Sequence, residues 1–177
     1  MAERGSPLLG GISPQRFLRE YWQQKPLLVR AAIPGFGDAL SGEELAGFAL
    51  EPEIESRLVI ERGSCPWELR RGPFTAKDFR RLPASRWTLL VQAVDQWLPE
   101  AQALRARFDF LPGWRYDDVM VSYAADKGGV GPHVDQYDVF LVQGSGKRRW
   151  RIGQRCDAAT PLRRDTELRI LKRFDTE

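Results

Sequence analysis

A chain of 177 residues with 42% hydrophobic and 29% charged side chains has the composition of one folded domain, or of one domain and part of a second, which excludes disordered and fibrous classes. Its net charge of +3 is too small to demand a nucleic-acid partner, so no direct nucleic-acid binding is expected. The two cysteines, Cys65 and Cys156, are far apart without CxxC spacing, no basic-then-apolar leader opens Met1 to Gly11, and no apolar run nears the roughly 18 residues of a membrane span, so the reading is a cytoplasmic protein without disulfide framework, zinc site or membrane segment.

Ser13-Pro14 reads as an N-cap followed by proline at the first helical position, opening a short helix through Phe17, Leu18 and Tyr21 that ends near Lys25-Pro26. Leu27 to Val29 follow as a brief predicted strand. Ser41 with Glu44 three positions on is a capping box that starts a helix through Leu45 and Phe48 toward Leu50. Arg57 to Ile60 and Trp67 to Leu69, separated by Gly63 and Pro66, read as a hairpin, and Thr75 to Arg81 as a helical turn. Trp87 to Val91 is a strand, and the apolar spacing at Trp97, Leu98, Ala101, Leu104 and Phe108 predicts a helix over Gln96 to Phe108. From Trp114 the pattern turns extended, with Val119, Val121 and Tyr123 alternating against Met120 and Ser122, and strands are expected from there to Glu177. Six Trp and nine Phe suit the packed interior of such a sheet-rich fold.

The chemistry is concentrated in GGVGPHVDQYDVFLVQGSGKRRWRIG, Gly128 to Gly153, which holds the single histidine of the chain. On a strand, His133 and Asp135 project from one face while Val134 points the other way. An imidazole and a carboxylate converging in this way are two of the three donors of a facial metal triad. The commoner use of a lone His-x-Asp is a hydrogen-bonded structural pair, and both readings stand on these residues alone. After the turn Gly144-Ser145-Gly146, Arg148, Trp150 and Ile152 share a face, so if the apolar side chains point inward Arg148 goes with them. A buried guanidinium needs an anion: a carboxylate ligand, or a protein carboxylate such as Asp117 or Asp138. Gly128-Gly129 and Gly131-Pro132 read as a turn feeding the strand, or as a way of keeping the approach to the site open. Tyr137 shares the parity of His133 and Asp135 and is a secondary candidate for lining the same cavity, against the more frequent role of a core tyrosine.

The stretch GVGPHVDQYDVFLVQGSGKRRWRIG resembles the metal-binding core of bacterial JmjC-type ribosomal oxygenases, in the cupin superfamily. The likeness extends through FLREYWQQKPLLVR, SRLVIERG, RRGPF and WTLLVQAVDQW, and so over essentially the whole chain. The resemblance implies a mainly β double-stranded β-helix with flanking helices. It implies Fe(II) held by His133 and Asp135, Arg148 on the distal carboxylate of 2-oxoglutarate, and O2 as the second cosubstrate. It further implies hydroxylation of a side chain in a ribosomal protein: arginine at its β-carbon in the bacterial branch, histidine in relatives outside bacteria. The QYDVF context resembles the bacterial branch.

The family's third ligand is a histidine on a later strand, and none follows Ile152. The expectation is therefore a single JmjC/cupin domain over residues 1–177 that is incomplete at its C-terminal end, lacks the family's helical dimerisation and C-terminal regions, and is inactive by itself. A homodimer is implied by the family, although the region that forms it is absent here. Two other readings remain: a JmjC hydroxylase with a different protein or RNA substrate, and a non-catalytic cupin that binds a partner.

Overall fold

Ser13 accepts the amide of Arg16 at 3.1 Å, and Pro14 occupies a position where no amide donor is needed, so helix α1 runs Pro14–Glu20. The expected capping box of Ser41 and Glu44 is formed in both directions, at 3.2 and 2.8 Å, and opens α2, Gly42–Phe48. A second capping contact was not expected: the Asp78 carboxylate takes both the amide and the hydroxyl of Thr75, at 2.8 and 2.6 Å, at the start of α3, Ala76–Arg80. These details belong to a computed structural model that describes residues 5–37, 40–61 and 67–176. Cys65, Gly63 and Pro66, and the first four residues of the opening segment, lie outside the described residues.

The strands are β1 (Ser56–Ile60), β2 (Glu68–Arg71), β3 (Trp87–Val91) and β4 (Val121–Ala124), all antiparallel in the order β2-β1-β3-β4. The expected hairpin is present with Arg57 opposite Arg71 and Ile60 opposite Glu68. Leu58 faces Leu89, which faces Tyr123. Residues opposite one another share a face, so Leu58, Leu89 and Val91 point together into a core completed by Leu45 and Ala49, and by Phe74, Val94 and Ala101. Leu58, Val91, Val94 and Ala49 are fully buried, and such burial contributes about 1.5–3 kcal/mol for each large aliphatic side chain.

The other face of the sheet carries Val59, Thr88 and Leu90, which are also buried, and Ser122. Among the described residues no helix supplies its polar partners. Instead the chain after β4 does so: Thr88 donates its hydroxyl to the Gly129 carbonyl at 3.3 Å, and Arg148 donates to Ser122 Oγ at 3.3 Å. One face of the sheet thus belongs to the helices and the opposite face meets the chemistry-bearing segment.

Several expectations are corrected. Leu27 to Val29 forms no strand among the described residues, and Leu28 is 74% exposed; local propensity alone does not make a strand without a pairing partner. The predicted helix over Gln96 to Phe108 is shorter, α4 being Pro99–Ala106, with Val94–Gln96 a separate 3-10 turn. Pro99 has no amide to donate to the preceding turn, so it marks the first turn rather than the interior. Strands also do not continue to the end: after β4 the described residues contain only isolated bridges, His133 with Ile170, Gly153 with Thr176 and Leu162 with Leu171. Gly146 has the positive φ expected of the Gly144-Ser145-Gly146 turn, at +73°, but its flanks do not pair. Consequently Trp150 and Ile152, expected to face inward, remain 50% and 56% exposed.

Candidate metal and cosubstrate site

The site begins at Gly131. Its φ is +75°, a region that L side chains avoid, and a Cβ there would stand 2.5 Å from Cδ1 of Ile170. Glycine therefore lets the chain turn tightly against Ile170, and Ile170 bridges to His133 two residues later while Leu171 donates its amide to the Pro132 carbonyl at 2.8 Å. Ile170 and Leu171 are buried at 2% and 5% exposure, so a buried anchor far along the chain fixes the backbone that carries His133.

His133 Nδ1 lies 2.9 Å from the Gly131 carbonyl. Since a carbonyl only accepts, Nδ1 carries the proton, which leaves Nε2 with its lone pair free in the neutral ring. That Nε2 faces Asp135 Oδ2 at 3.6 Å. The Asp135 carboxylate raises the imidazole's pKa against the opposing effect of burial, and the imidazole lowers that of Asp135. Two donors of the types required for a divalent metal are thus adjacent although neither lies on a regular strand. Among the described residues no group of three or more His, Cys, Asp or Glu side chains is placed to hold a metal ion.

Arg148 reaches the sheet from the far side of the exposed Gly144–Gly146 turn. Its guanidinium donates to Ser122 Oγ at 3.3 Å and lies 5.8 Å from the Trp150 ring. Burial lowers its pKa, with no carboxylate acting in the other direction. The alternative of a structural partner at Asp138 is not realised, because Asp138 accepts instead from Gln23 Nε2 at 3.0 Å. Nor is Asp117 within ion-pair distance of Arg148 among the described residues. A partly buried guanidinium with one long neutral hydrogen bond has donor capacity to spare for a planar anion. Tyr137 is 68% exposed, so it is not a core tyrosine.

Sequence reasoning passed over Ser122 and Ile170. Ser122 had a legible signal: it is the polar member of the β4 alternation, out of phase with Val121 and Tyr123, and so belongs to the face away from the helices. Ile170 had none, since its role depends on contact with a glycine 39 positions earlier (170 minus 131).

The chain resembles known proteins along most of its length. Residues 103–177 match the JmjC domain family. A probable ribosomal oxygenase of Haemophilus influenzae is 43% identical over 159 residues, covering 90% of this chain and 39% of the relative. The ribosomal protein uL16 3-hydroxylase of Escherichia coli is 46% identical over 139 residues, covering 78% of this chain and 36% of the relative. A solved structure of YcfD, a ribosomal oxygenase from Escherichia coli in complex with cobalt and 2-oxoglutarate, superposes with a TM-score of 0.78 at 41% identity, over 92% of this chain and 41% of that one. The chain spans about two fifths of the length of the relatives it matches. The four-stranded antiparallel sheet with its flanking helices is therefore part of a JmjC-type cupin fold.

Proposed function

The chain carries JmjC-domain sequence over residues 103–177 and shares its fold with bacterial ribosomal oxygenases; from that premise we propose that it bears part of the site of an Fe(II)- and 2-oxoglutarate-dependent hydroxylase that acts in the cytoplasm on a large-subunit ribosomal protein. The target is the β-carbon of an arginine side chain.

The observation that carries this reading is Arg148: a partly buried guanidinium facing no carboxylate among the described residues, on the segment that also brings His133 and Asp135 within 3.6 Å of each other. A metal would take up the His133–Asp135 pair and a keto acid would supply the anion that the partly buried guanidinium lacks. The residues fit these groups in part. His133 Nε2 and Asp135 would be two donors to the metal, and Arg148 would receive a carboxylate of 2-oxoglutarate with Ser122 holding the guanidinium in place. The chain has one histidine, so this reading takes the remaining donor from the part of the relatives that lies beyond the match. When bound, Fe(II) and 2-oxoglutarate supply oxygen activation, with the keto acid leaving as succinate and carbon dioxide. The protein's own work is to orient: Gly131 sets the tautomer of His133, Asp135 adds negative charge beside it, and Arg148 fixes one end of the cosubstrate.

The test is to incubate the full-length protein with uL16, Fe(II) and 2-oxoglutarate and to look for a mass gain of one oxygen on an arginine. Succinate formation with the oxygen placed on another residue or protein would discard the substrate assignment. Failure to take up either metal or 2-oxoglutarate would discard the hydroxylase itself.

A further inference from the structure

The segment between Asp135 and Arg148 has almost no support of its own. It forms no strand, and its apolar residues Val139, Leu141 and Val142 are 46%, 58% and 40% exposed. One side chain of that run is taken in, Phe140, and what receives it is the N-terminal region. The Phe140 ring lies 5.9 Å from Trp22, nearly parallel at 25°, and 6.0 Å from Phe17 of α1. Phe108 at 4.5 Å and Phe110 at 6.3 Å close the cluster from the end of α4.

Two polar contacts join the same two parts of the chain. Gln23 Nε2 donates to Asp138 Oδ2 at 3.0 Å, and Arg155 donates to the Gln24 carbonyl at 2.9 Å. Gln23 does this from φ +58°, a left-handed conformation that L side chains disfavour and that is retained where surrounding contacts hold it. The turn after α1 thus grips the site segment before and after Arg148: at Asp138 and Phe140 on one side and at Arg155 on the other. We propose that Phe17, Trp22 and Gln23 form a bracket that positions the cosubstrate-binding segment, so that Trp22 and Gln23 are positioning residues for the site although neither touches it. The inference rests on the reading of Asp135 and Arg148 as metal and keto-acid ligands.

The experiment uses the full chain in its full-length protein, with cobalt(II) as the metal probe. Trp22→Ala, Trp22→Phe and Gln23→Ala are compared for 2-oxoglutarate affinity by calorimetry and for amide hydrogen exchange. Loss of the stacked pair is expected to raise the 2-oxoglutarate Kd about tenfold, Trp22→Phe to restore it to within about twofold, and Gln23→Ala to raise it about threefold. Exchange should quicken in residues 136–142 and stay unchanged in β1 and β3. Unchanged affinity and exchange in Trp22→Ala would overturn the bracket. If Trp22→Ala fails to fold, the exposed Gln23→Ala decides, and an unaltered Kd there overturns it equally. A parent protein that binds neither cobalt nor 2-oxoglutarate refutes the proposed function instead, while the exchange of residues 136–142 still reads the bracket independently.

Discussion

Replacing Arg148 by alanine separates a ligand-binding guanidinium from a structural one, because the two roles predict opposite signs for stability. In the structure Arg148 is partly buried and, among the described residues, makes one hydrogen bond of 3.3 Å to a neutral hydroxyl and meets no carboxylate. Its folded environment therefore returns little for the hydration it gives up. The long hydrogen bond to Ser122 falls short of the roughly 1.5–3 kcal/mol of a well-formed bond to a charged group, and relief of desolvation offsets it. Arg148→Ala should accordingly leave the melting temperature unchanged or slightly raised. A carboxylate ligand would gain two parallel charge-assisted hydrogen bonds of about 1.5–3 kcal/mol each in full burial. Partial solvent screening reduces the sum to about 2–3 kcal/mol, equivalent to a 2-oxoglutarate Kd raised about 30- to 150-fold. Arg148→Lys should recover only part of this, since an ammonium cannot present a planar fork. Titration calorimetry on the full-length protein with cobalt(II), paired with thermal melts, reads both quantities. A melting temperature lowered by several degrees with unchanged 2-oxoglutarate affinity would refute the argument, for it would show that the guanidinium serves the fold.

The remaining expectations concern the scaffold. Leu58→Ala removes a side chain with no exposed surface between α2 and β3 and should cost about 2–5 kcal/mol in urea denaturation. Gly131→Ala forces an L side chain into φ +75° and against Ile170; a loss of about 1–2 kcal/mol together with weaker cobalt(II) binding, followed by its visible absorption, is expected. Asp95 is 5% exposed and accepts from the Val119 amide at 2.9 Å and from Arg105 at 2.8 Å. Burial pushes its pKa up, but these donors more than compensate and hold it below the ordinary value. Its contribution is therefore present above the unfolded carboxylate pKa of about 3.9 and is lost as pH falls through the lower folded value. Asp95→Asn should lower stability at pH 7 and flatten the loss of stability below about pH 4, as followed by circular dichroism across an acid titration.

The capping box of Ser41 and Glu44, the strands at Arg57 to Ile60 and Trp87 to Val91, and the adjacency of His133 and Asp135 were all legible along the chain. Each depends on residues within a few positions of one another, where dihedral preference and side-chain spacing set the outcome. The same local reasoning overextended α4 past its proline and made a strand of Leu27 to Val29, because periodicity describes how a segment would bury itself if a partner were present. It likewise read Trp150 and Ile152 as inward, although in the structure they have no strand to pair with and stand half exposed.

By itself, the amino-acid order determined the hairpin of β1 and β2, the helix caps at Ser13 and Ser41, and the chemical types gathered between His133 and Arg148. Tertiary structure decided which sheet face they meet, that Ser122 rather than Asp138 receives Arg148, and that the turn at Gln23 holds Asp138 from 115 positions away. Contacts across such separations depend on closing long loops and on which sheet face is left uncovered, quantities that no short window of residues contains.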